Sequence, residues 1–254
     1  MEYHISLQSN NGTVRFLGDR VTLEAQKTCS DTRFSLTVAF SEWEQDAYIL
    51  LPACAYNANR FKRRKTTYPP VYTPEECGID PEPVITDVPA LNPDGSGRIE
   101  VTSGDLSVPC FGVFYPHKKQ AFFAFTQQAC KGKNIGFQVE SGKLTLQFPT
   151  IRSSCYRMCR TDEPSTDTGI SVTAGESVSA KVLFKDFACG DIPGFFDLFF
   201  QNRRCLLSDA PAKNMYSQAL WDTMEKHMNR DNFSGEYYAE MSKMWQCGWV
   251  GGGM

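Results

Sequence analysis

The feature that most constrains the fold of this chain is a two-residue alternation of apolar and polar side chains, which recurs up to about residue 188. Because successive side chains of a strand point to opposite faces, each alternating segment can bury one face and expose the other. This pattern is typical of antiparallel sheets, whereas parallel sheets need apolar residues on both faces. The apolar positions of the five clearest segments are Val21, Leu23 and Ala25; Phe34, Leu36, Val38 and Phe40; Ile135, Phe137 and Val139; Leu144, Leu146 and Phe148; and Val178, Ala180, Val182 and Phe184.

Turn-forming residues separate these segments, and no strong helical pattern interrupts them. Many strands without crossover helices predict a mainly β chain built from packed antiparallel sheets, a large β-sandwich. We assign this domain to residues 1–189. The turn signals are Asn10-Asn11-Gly12, Asn92-Pro93-Asp94-Gly95, Ser141-Gly142 and Ala174-Gly175.

One segment of this region is not typical of a sheet. From Asn57 to Pro93 the chain is first basic and then rich in proline. Proline donates no backbone hydrogen bond and fixes φ, so the segment is predicted to be a long, stiff loop. Loops of this length are often functional when they are ordered.

The periodicity changes after Cys189, where apolar side chains recur every three or four residues. Asp191 is a suitable N-cap for a helix with Pro193 in its first turn. The apolar side of this first helix carries Phe195, Leu198, Phe199 and Leu206.

Two further helices are predicted, one after Asp209 and one from about Gly235 to Gln246. The second helix has Met215, Ala219, Met224 and Met228 on its apolar side. The chain then ends in an apolar, glycine-rich motif. We therefore expect residues 190–254 to be a linker and the first helices of a truncated α-helical domain.

The charge balance limits the classes of partner. With 26 basic and 29 acidic residues the net charge is −3, so the chain lacks the basic field that nucleic acid requires. The longest uncharged apolar stretch, Ala47–Tyr56, is far shorter than the roughly 20 residues of a membrane helix. The N-terminal residues do not resemble an export signal. We expect no nucleic acid and no membrane as partners.

Ten cysteines are scattered along the chain, and only Cys155 and Cys159 lie close together. Neither a zinc site nor a dense disulfide framework is expected from this spacing. We predict free thiols, which favour a cytoplasmic location, and no metal or other cofactor. Whether a parent protein is exported stays open.

The most informative segment of the β region is Leu51–Phe61. It leaves an apolar strand and at once presents Tyr56, Asn57, Asn59 and Arg60. Sugars bind to flat aromatic faces and to fork-shaped amide and guanidinium donors, so these four are our candidate carbohydrate-binding residues. The alternative is an asparagine-rich turn in which Arg60 pairs with a local carboxylate.

The second candidate segment lies near the C-terminus. Trp245 and Trp249 are suited either to a platform for a sugar ring or to anchoring a core or an interface. No catalytic residue is assigned, because the three histidines, His4, His117 and His227, stand alone in the sequence without a catalytic motif.

Several motifs together resemble the N-terminal portion of bacterial proteins of the six-hairpin glycosidase superfamily. The resemblance covers nearly the whole chain and implies a large antiparallel β supersandwich followed by the start of an (α/α)6 toroid. In that family the toroid carries the hydrolytic carboxylates, and most of the toroid would lie beyond this chain. The motifs are YILLPACAYNANRF (48–61), YPP (68–70), DGSGRIEVTSGD (94–105), GKNIGF (132–137), YRMCR (156–160) and WQCGWVGGG (245–253).

The resemblance implies the N-terminal part of a carbohydrate-active enzyme, a glycoside hydrolase acting on oligo- or polysaccharide. This chain alone would lack the catalytic pair. A stand-alone carbohydrate-binding β-sandwich module is the first alternative. A mutarotase-like sugar epimerase is a less favoured one, because it needs a histidine and a carboxylate in one cleft. A purely structural role is not distinguished by the sequence.

Overall fold

The computed structural model describes residues 1–60, 89–155, 163–206 and 218–232. Within them the chain is mainly β, with antiparallel strand pairing and two α-helices. The strands are β1 Tyr3–Ser9, β2 Gly12–Leu17, β3 Arg20–Ala25, β4 Cys29–Thr32, β5 Phe34–Phe40, β6 Tyr48–Leu51, β7 Ala55–Tyr56, β8 Arg98–Thr102, β9 Cys110–Tyr115, β10 Gln120–Thr126, β11 Ala129–Cys130, β12 Lys133–Asn134, β13 Gly136–Glu140, β14 Lys143–Phe148, β15 Ser154–Cys155, β16 Glu163–Pro164, β17 Ile170–Val172 and β18 Ser177–Ala188. The helices are α1 Ile192–Asn202 and α2 Gln218–Asn232.

The strands form two principal sheets. One has five strands in the order β1-β5-β14-β13-β8, and the other has seven in the order β2-β3-β18-β10-β9-β6-β7. Three short pairs, β11-β12, β15-β16 and β17-β4, complete the described sheets. The prediction of a mainly β chain with antiparallel sheets is therefore confirmed.

Apolar side chains of both sheets share one buried core. Phe40 of β5 contacts Phe122 of β10 edge-to-face, with ring centroids 5.3 Å apart. Tyr3 of β1 contacts the same ring at 5.2 Å. The alternating segments place their apolar residues in this core as predicted, and Leu36, Val38 and others are fully buried. Burial of apolar area at about 25 cal/mol per Å² is the main stabilising term of such a core.

A second cluster of buried side chains covers the other face of the seven-stranded sheet. Helix α1 lies there, with Phe195 and Phe199 buried against Phe114 and Phe123 of the sheet. Asp191 caps the helix as predicted, since its carboxylate accepts a hydrogen bond from the Gly194 N–H at 2.8 Å. Because the helix covers the outer face, β9 is buried at all six of its positions.

The chain divides into two compact units, Met1–Leu207 and Ser208–Met254. The described part of the second unit is helix α2, in which Trp221 and Met224 are exposed. No helix among the described residues is both long and apolar enough to cross a bilayer.

Several predictions about domain organisation stay predictions. They are the boundary between residues 189 and 190, the supersandwich and the toroid. The predicted third helix, from Gly235 to Gln246, and most of the proline-rich segment lie outside the described residues. Six cysteines of the described part of the chain are free thiols: Cys29, Cys54, Cys110, Cys130, Cys189 and Cys205.

Candidate functional site

The candidate carbohydrate-binding segment begins with a tight turn between β6 and β7. The Cys54 N–H donates to the Leu51 carbonyl at 2.9 Å, and Pro52 and Ala53 occupy the two central positions. Ala53 has a φ of 70°. Proline followed by a residue with positive φ is typical of a type II turn. This turn brings Tyr56 to the edge of the seven-stranded sheet.

The next three residues, Asn57, Ala58 and Asn59, form a single turn in the left-handed region. Their φ angles are 52°, 51° and 50°. Asparagine tolerates this conformation better than most residues, whereas alanine does not. Ala58 is nevertheless fully buried in the main core. The turn therefore depends on the contacts made by its neighbours.

Asn59 supplies some of those contacts. Its side-chain amide nitrogen donates to the carbonyl of Cys54 at 3.0 Å and to that of Pro89 at 2.8 Å. The Leu91 N–H also donates to the Ala58 carbonyl at 3.0 Å. Ala58 and Asn59 lie near the start of the Asn57–Pro93 segment, and Pro89 and Leu91 lie near its end, so these bonds join its two ends. The Asn59 amide group is thus engaged within the protein.

Arg60 is engaged in a similar way. Its guanidinium donates to the carbonyls of Gln45 and Ala47, at 2.6 and 2.5 Å, and to Asn57 Oδ1 at 2.8 Å. Burial lowers the pKa of Arg60, and the charge of Asp46 opposes that shift. A guanidinium with several N–H donors in a fixed plane is suited to such a set of acceptors. Arg60 therefore fastens the loop before β6 to the left-handed turn.

Tyr56 is the aromatic residue in the described part of this segment, and 51% of its surface is accessible. Its ring stacks on Phe196 of α1, with centroids 6.4 Å apart and an angle of 24° between the planes. Its hydroxyl accepts a hydrogen bond from the Ala53 N–H at 3.3 Å. Phe196 also contacts Tyr48 edge-to-face at 6.1 Å. Tyr56 is thus an exposed ring held by aromatic and polar contacts.

A histidine and two carboxylates, not foreseen from the sequence, lie on the neighbouring loops. His117 Nε2 is 3.0 Å from Asp46 Oδ2, and both side chains are mostly exposed. Glu44 accepts backbone hydrogen bonds from His117 and Lys118, each at 3.0 Å. The ligand atoms of Glu44, Asp46 and His117 lie within 4.8 Å of one another. The absence of a metal cofactor stays a prediction, since these side-chain types bind divalent cations in proteins.

This cluster borders the Arg60 loops. Asp46 lies between Gln45 and Ala47, whose carbonyls accept from Arg60. A Cβ at Gly95 would lie 3.6 Å from Arg60 Nη1, so the turn that precedes β8 also approaches the guanidinium. The four candidate residues Tyr56, Asn57, Asn59 and Arg60 therefore form one segment, and its last residue, Arg60, lies next to a histidine–carboxylate pair.

The other two candidates, Trp245 and Trp249, lie outside the described residues. Comparisons of the chain with protein-family models, with curated proteins and with solved structures find no match. The resemblance to the six-hairpin glycosidase superfamily consequently stays a prediction.

Proposed function

We propose that this chain is the β-sheet part of a carbohydrate-active protein and binds oligosaccharide at the surface around Tyr56. The observation that carries this proposal is the half-exposed Tyr56 ring stacked on Phe196. A flat aromatic face held in place offers a sugar ring an apolar surface at little cost in conformational entropy.

The polar groups beside the ring support the same ligand class. The Asn57 side chain is exposed, and its Oδ1 is fixed by Arg60. The described residues record no contact of its amide nitrogen, which leaves that nitrogen as a donor for a sugar hydroxyl. Asn59 and Arg60 stay candidates, and their bonds to backbone carbonyls hold the surrounding loops in position. Their proposed role is to preorganise the surface.

The larger architecture in this proposal is a supersandwich that precedes an (α/α)6 toroid, as the resemblance implies. The described residues support its mainly β, antiparallel part and the helix that follows the sheets. In this proposal hydrolysis belongs to carboxylates of a longer parent protein. Measuring sugar hydrolysis by the full-length parent tests this part, and complete inactivity on every oligosaccharide would reject it.

Isothermal titration with maltose, cellobiose and xylobiose tests binding by this chain. We expect Tyr56→Ala to weaken binding by about tenfold, equivalent to about 1.4 kcal/mol. Tyr56→Phe keeps the ring and should bind nearly as the original chain does.

Leu17→Ala is the matched control. Leu17 is a 73% exposed apolar residue of β2, at the opposite edge of the seven-stranded sheet from β7. It should leave the affinity unchanged. Equal affinities for the Tyr56→Ala and Leu17→Ala variants would reject the Tyr56 surface as the binding site.

The His117–Asp46 pair favours a second candidate, the mutarotase-like sugar epimerase. A histidine held by a carboxylate is a suitable general acid or base for opening the sugar ring. Polarimetry of freshly dissolved α-glucose measures this activity directly. His117→Ala should then slow the interconversion about a hundredfold, and His4→Ala, at an exposed histidine of β1, should not. No acceleration over the uncatalysed rate by the original chain would remove this candidate.

A further inference from the structure

A groove of about 350 Å³ lies on the outer face of the five-stranded sheet. Its floor is one row of cross-strand partners, Gln8 of β1, Ser35 of β5 and Gln147 of β14. These positions alternate with core residues such as Phe34, so their side chains point away from the core. Tyr56 belongs to the other sheet, and the groove is therefore a separate surface.

Some of the polar groups around the groove are fixed by the protein. Gln147 Oε1 accepts from the Ile151 N–H at 3.0 Å, and its Nε2 donates to Gln138 at 3.2 Å. At the other end, Asn10 Oδ1 accepts from the Arg33 N–H at 2.8 Å. Groups held in this way lose little conformational entropy when a ligand binds.

Other polar groups of the floor are available to a ligand. Among the described residues, neither the Gln8 amide nor the Ser35 hydroxyl has a hydrogen-bond partner. A glutamine side chain offers two donors and an acceptor, and serine offers one donor and two acceptor lone pairs. Pro149 and Ile151 add an apolar wall beside this polar floor.

The groove carries no unbalanced charge from its arginine. Arg33 donates to both carboxylate oxygens of Asp31, at 3.0 and 2.6 Å. The hydrogen bond from Arg33 lowers the pKa of Asp31, so the pair stays ionised at neutral pH. With its charge paired, Arg33 is a poor receptor for a phosphate or a carboxylate, and the lining favours a neutral ligand.

We propose that this groove is a second carbohydrate subsite, which binds one or two neutral sugar rings. The amide and hydroxyl groups of this row repeat at the strand spacing of about 4.8 Å, so they offer donors and acceptors to several hydroxyls of one sugar ring. The wall of Pro149 and Ile151 matches the C–H face of the ring. The volume lies at the small end of the range for small-molecule sites, as a mono- or disaccharide requires. The subsite is independent of the Tyr56 surface.

The test is an NMR titration of the full, ¹⁵N-labelled chain with maltose and with cellobiose. At about 10 mM sugar, a site with a dissociation constant near 1 mM is mostly occupied. We expect shifts of the side-chain amide signals of Gln8 and Gln147. Gln8→Ala and Ser35→Ala should each weaken the binding that produces these shifts by about fivefold, since each removes one or two hydrogen bonds to the sugar.

Two variants serve as controls. Ser6→Ala changes a residue of β1 on the same outer face, outside the groove lining, and should bind as the original chain does. Tyr56→Ala should also leave the groove signals responsive. Shifts confined to the Tyr56 region would overturn the groove subsite and leave the proposed function standing. Groove signals that fail to move with either sugar, or a Gln147 signal that moves equally in the Gln8→Ala variant, would overturn the subsite as well.

Discussion

The rings of Phe123 in β10 and Phe195 in α1 lie nearly parallel, with centroids 4.8 Å apart and 12° between their planes. This contact fixes the helix on the outer face of the seven-stranded sheet. It depends on the absence of a side chain at Gly112 of β9, because a Cβ there would lie 2.8 Å from both rings. The close approach of α1 to the sheet is therefore coupled to a single glycine.

Gly112→Ala should lower the free energy of unfolding by about 1–3 kcal/mol, because the stacked rings have to move apart. Urea denaturation measures the change. Gly190→Ala is the control, since a Cβ at that exposed position has nothing within 4 Å and should cost far less. A Gly112→Ala variant as stable as the control would show that the ring stack tolerates an added methyl group.

Arg60→Lys should lower the free energy of unfolding by about 2 kcal/mol. Lysine keeps the charge, but a single ammonium does not reach the two carbonyls and the Asn57 side chain together. Arg15→Lys is the matched control, because Arg15 is 62% exposed and its ion pair with Glu24 is 3.9 Å long. Equal stability of the two variants, measured by urea denaturation, would mean that the Arg60 bonds contribute little.

Ala53→Gly should stabilise the chain by about 0.5 kcal/mol. Glycine removes the strain of a positive φ at the third position of the turn, and this gain exceeds the larger entropy that glycine gives to the unfolded chain. Ala174→Gly, at an exposed turn position outside the positive-φ region, should have the opposite sign. Thermal unfolding of both variants measures the difference, and a decrease in both melting temperatures would contradict the strain argument.

The Arg152–Asp167 ion pair should make the free energy of unfolding decrease at low pH. Hydrogen bonds from Arg152 lower the pKa of Asp167 from 3.8 to about 2. Because the folded-state pKa is the lower one, this stabilisation is complete above about pH 4 and is lost as the pH falls towards 2. Asp167→Asn should reduce stability at pH 7 by about 1–2 kcal/mol and flatten the loss between pH 4 and 2.

The control for this pH dependence is Glu24→Gln, at an exposed carboxylate in a long ion pair. The Glu24→Gln variant should lose as much stability between pH 4 and 2 as the original chain does. Denaturant titrations at several pH values compare the three proteins. If the Asp167→Asn variant still lost as much stability between pH 4 and 2 as the original chain, that loss would belong to other carboxylates.

The strands that alternate in sequence are those the structure confirms most directly, including β5 and β14. The alternation survives there because the outward-facing positions of β5 and β14 are mostly polar and only partly buried. Strands β9 and β10 do not alternate, since α1 covers the face that would otherwise be wet. Their apolar runs, such as Ala121–Phe125, therefore show no alternation of apolar and polar residues from which a strand could be predicted.

The sequence predicts which segment contains the candidate site, but not the contacts that its side chains make. The sequence places Tyr56 beside Asn57, Asn59 and Arg60, but the acceptors of Arg60 are mainly backbone carbonyls, which a side-chain pattern does not reveal. The pairing of His117 with Asp46 depends on two loops that are distant in sequence. Predicting this pair would require knowing the strand order. Strand β9 pairs with both β10 and β6, which brings the turn before β10 next to the loop before β6.

Strand β18 changes partners along its length. Ser177–Lys181 pair with β3, and Val182–Ala188 pair with β10. The peptide between Lys181 and Val182 thus joins the β2-β3 hairpin to the four strands on the other side of the sheet. Because both sides of the sheet share this one strand, local unfolding on the β2-β3 side is coupled to local unfolding on the β10 side. Amide hydrogens on both sides of this junction should exchange with solvent in a single cooperative event.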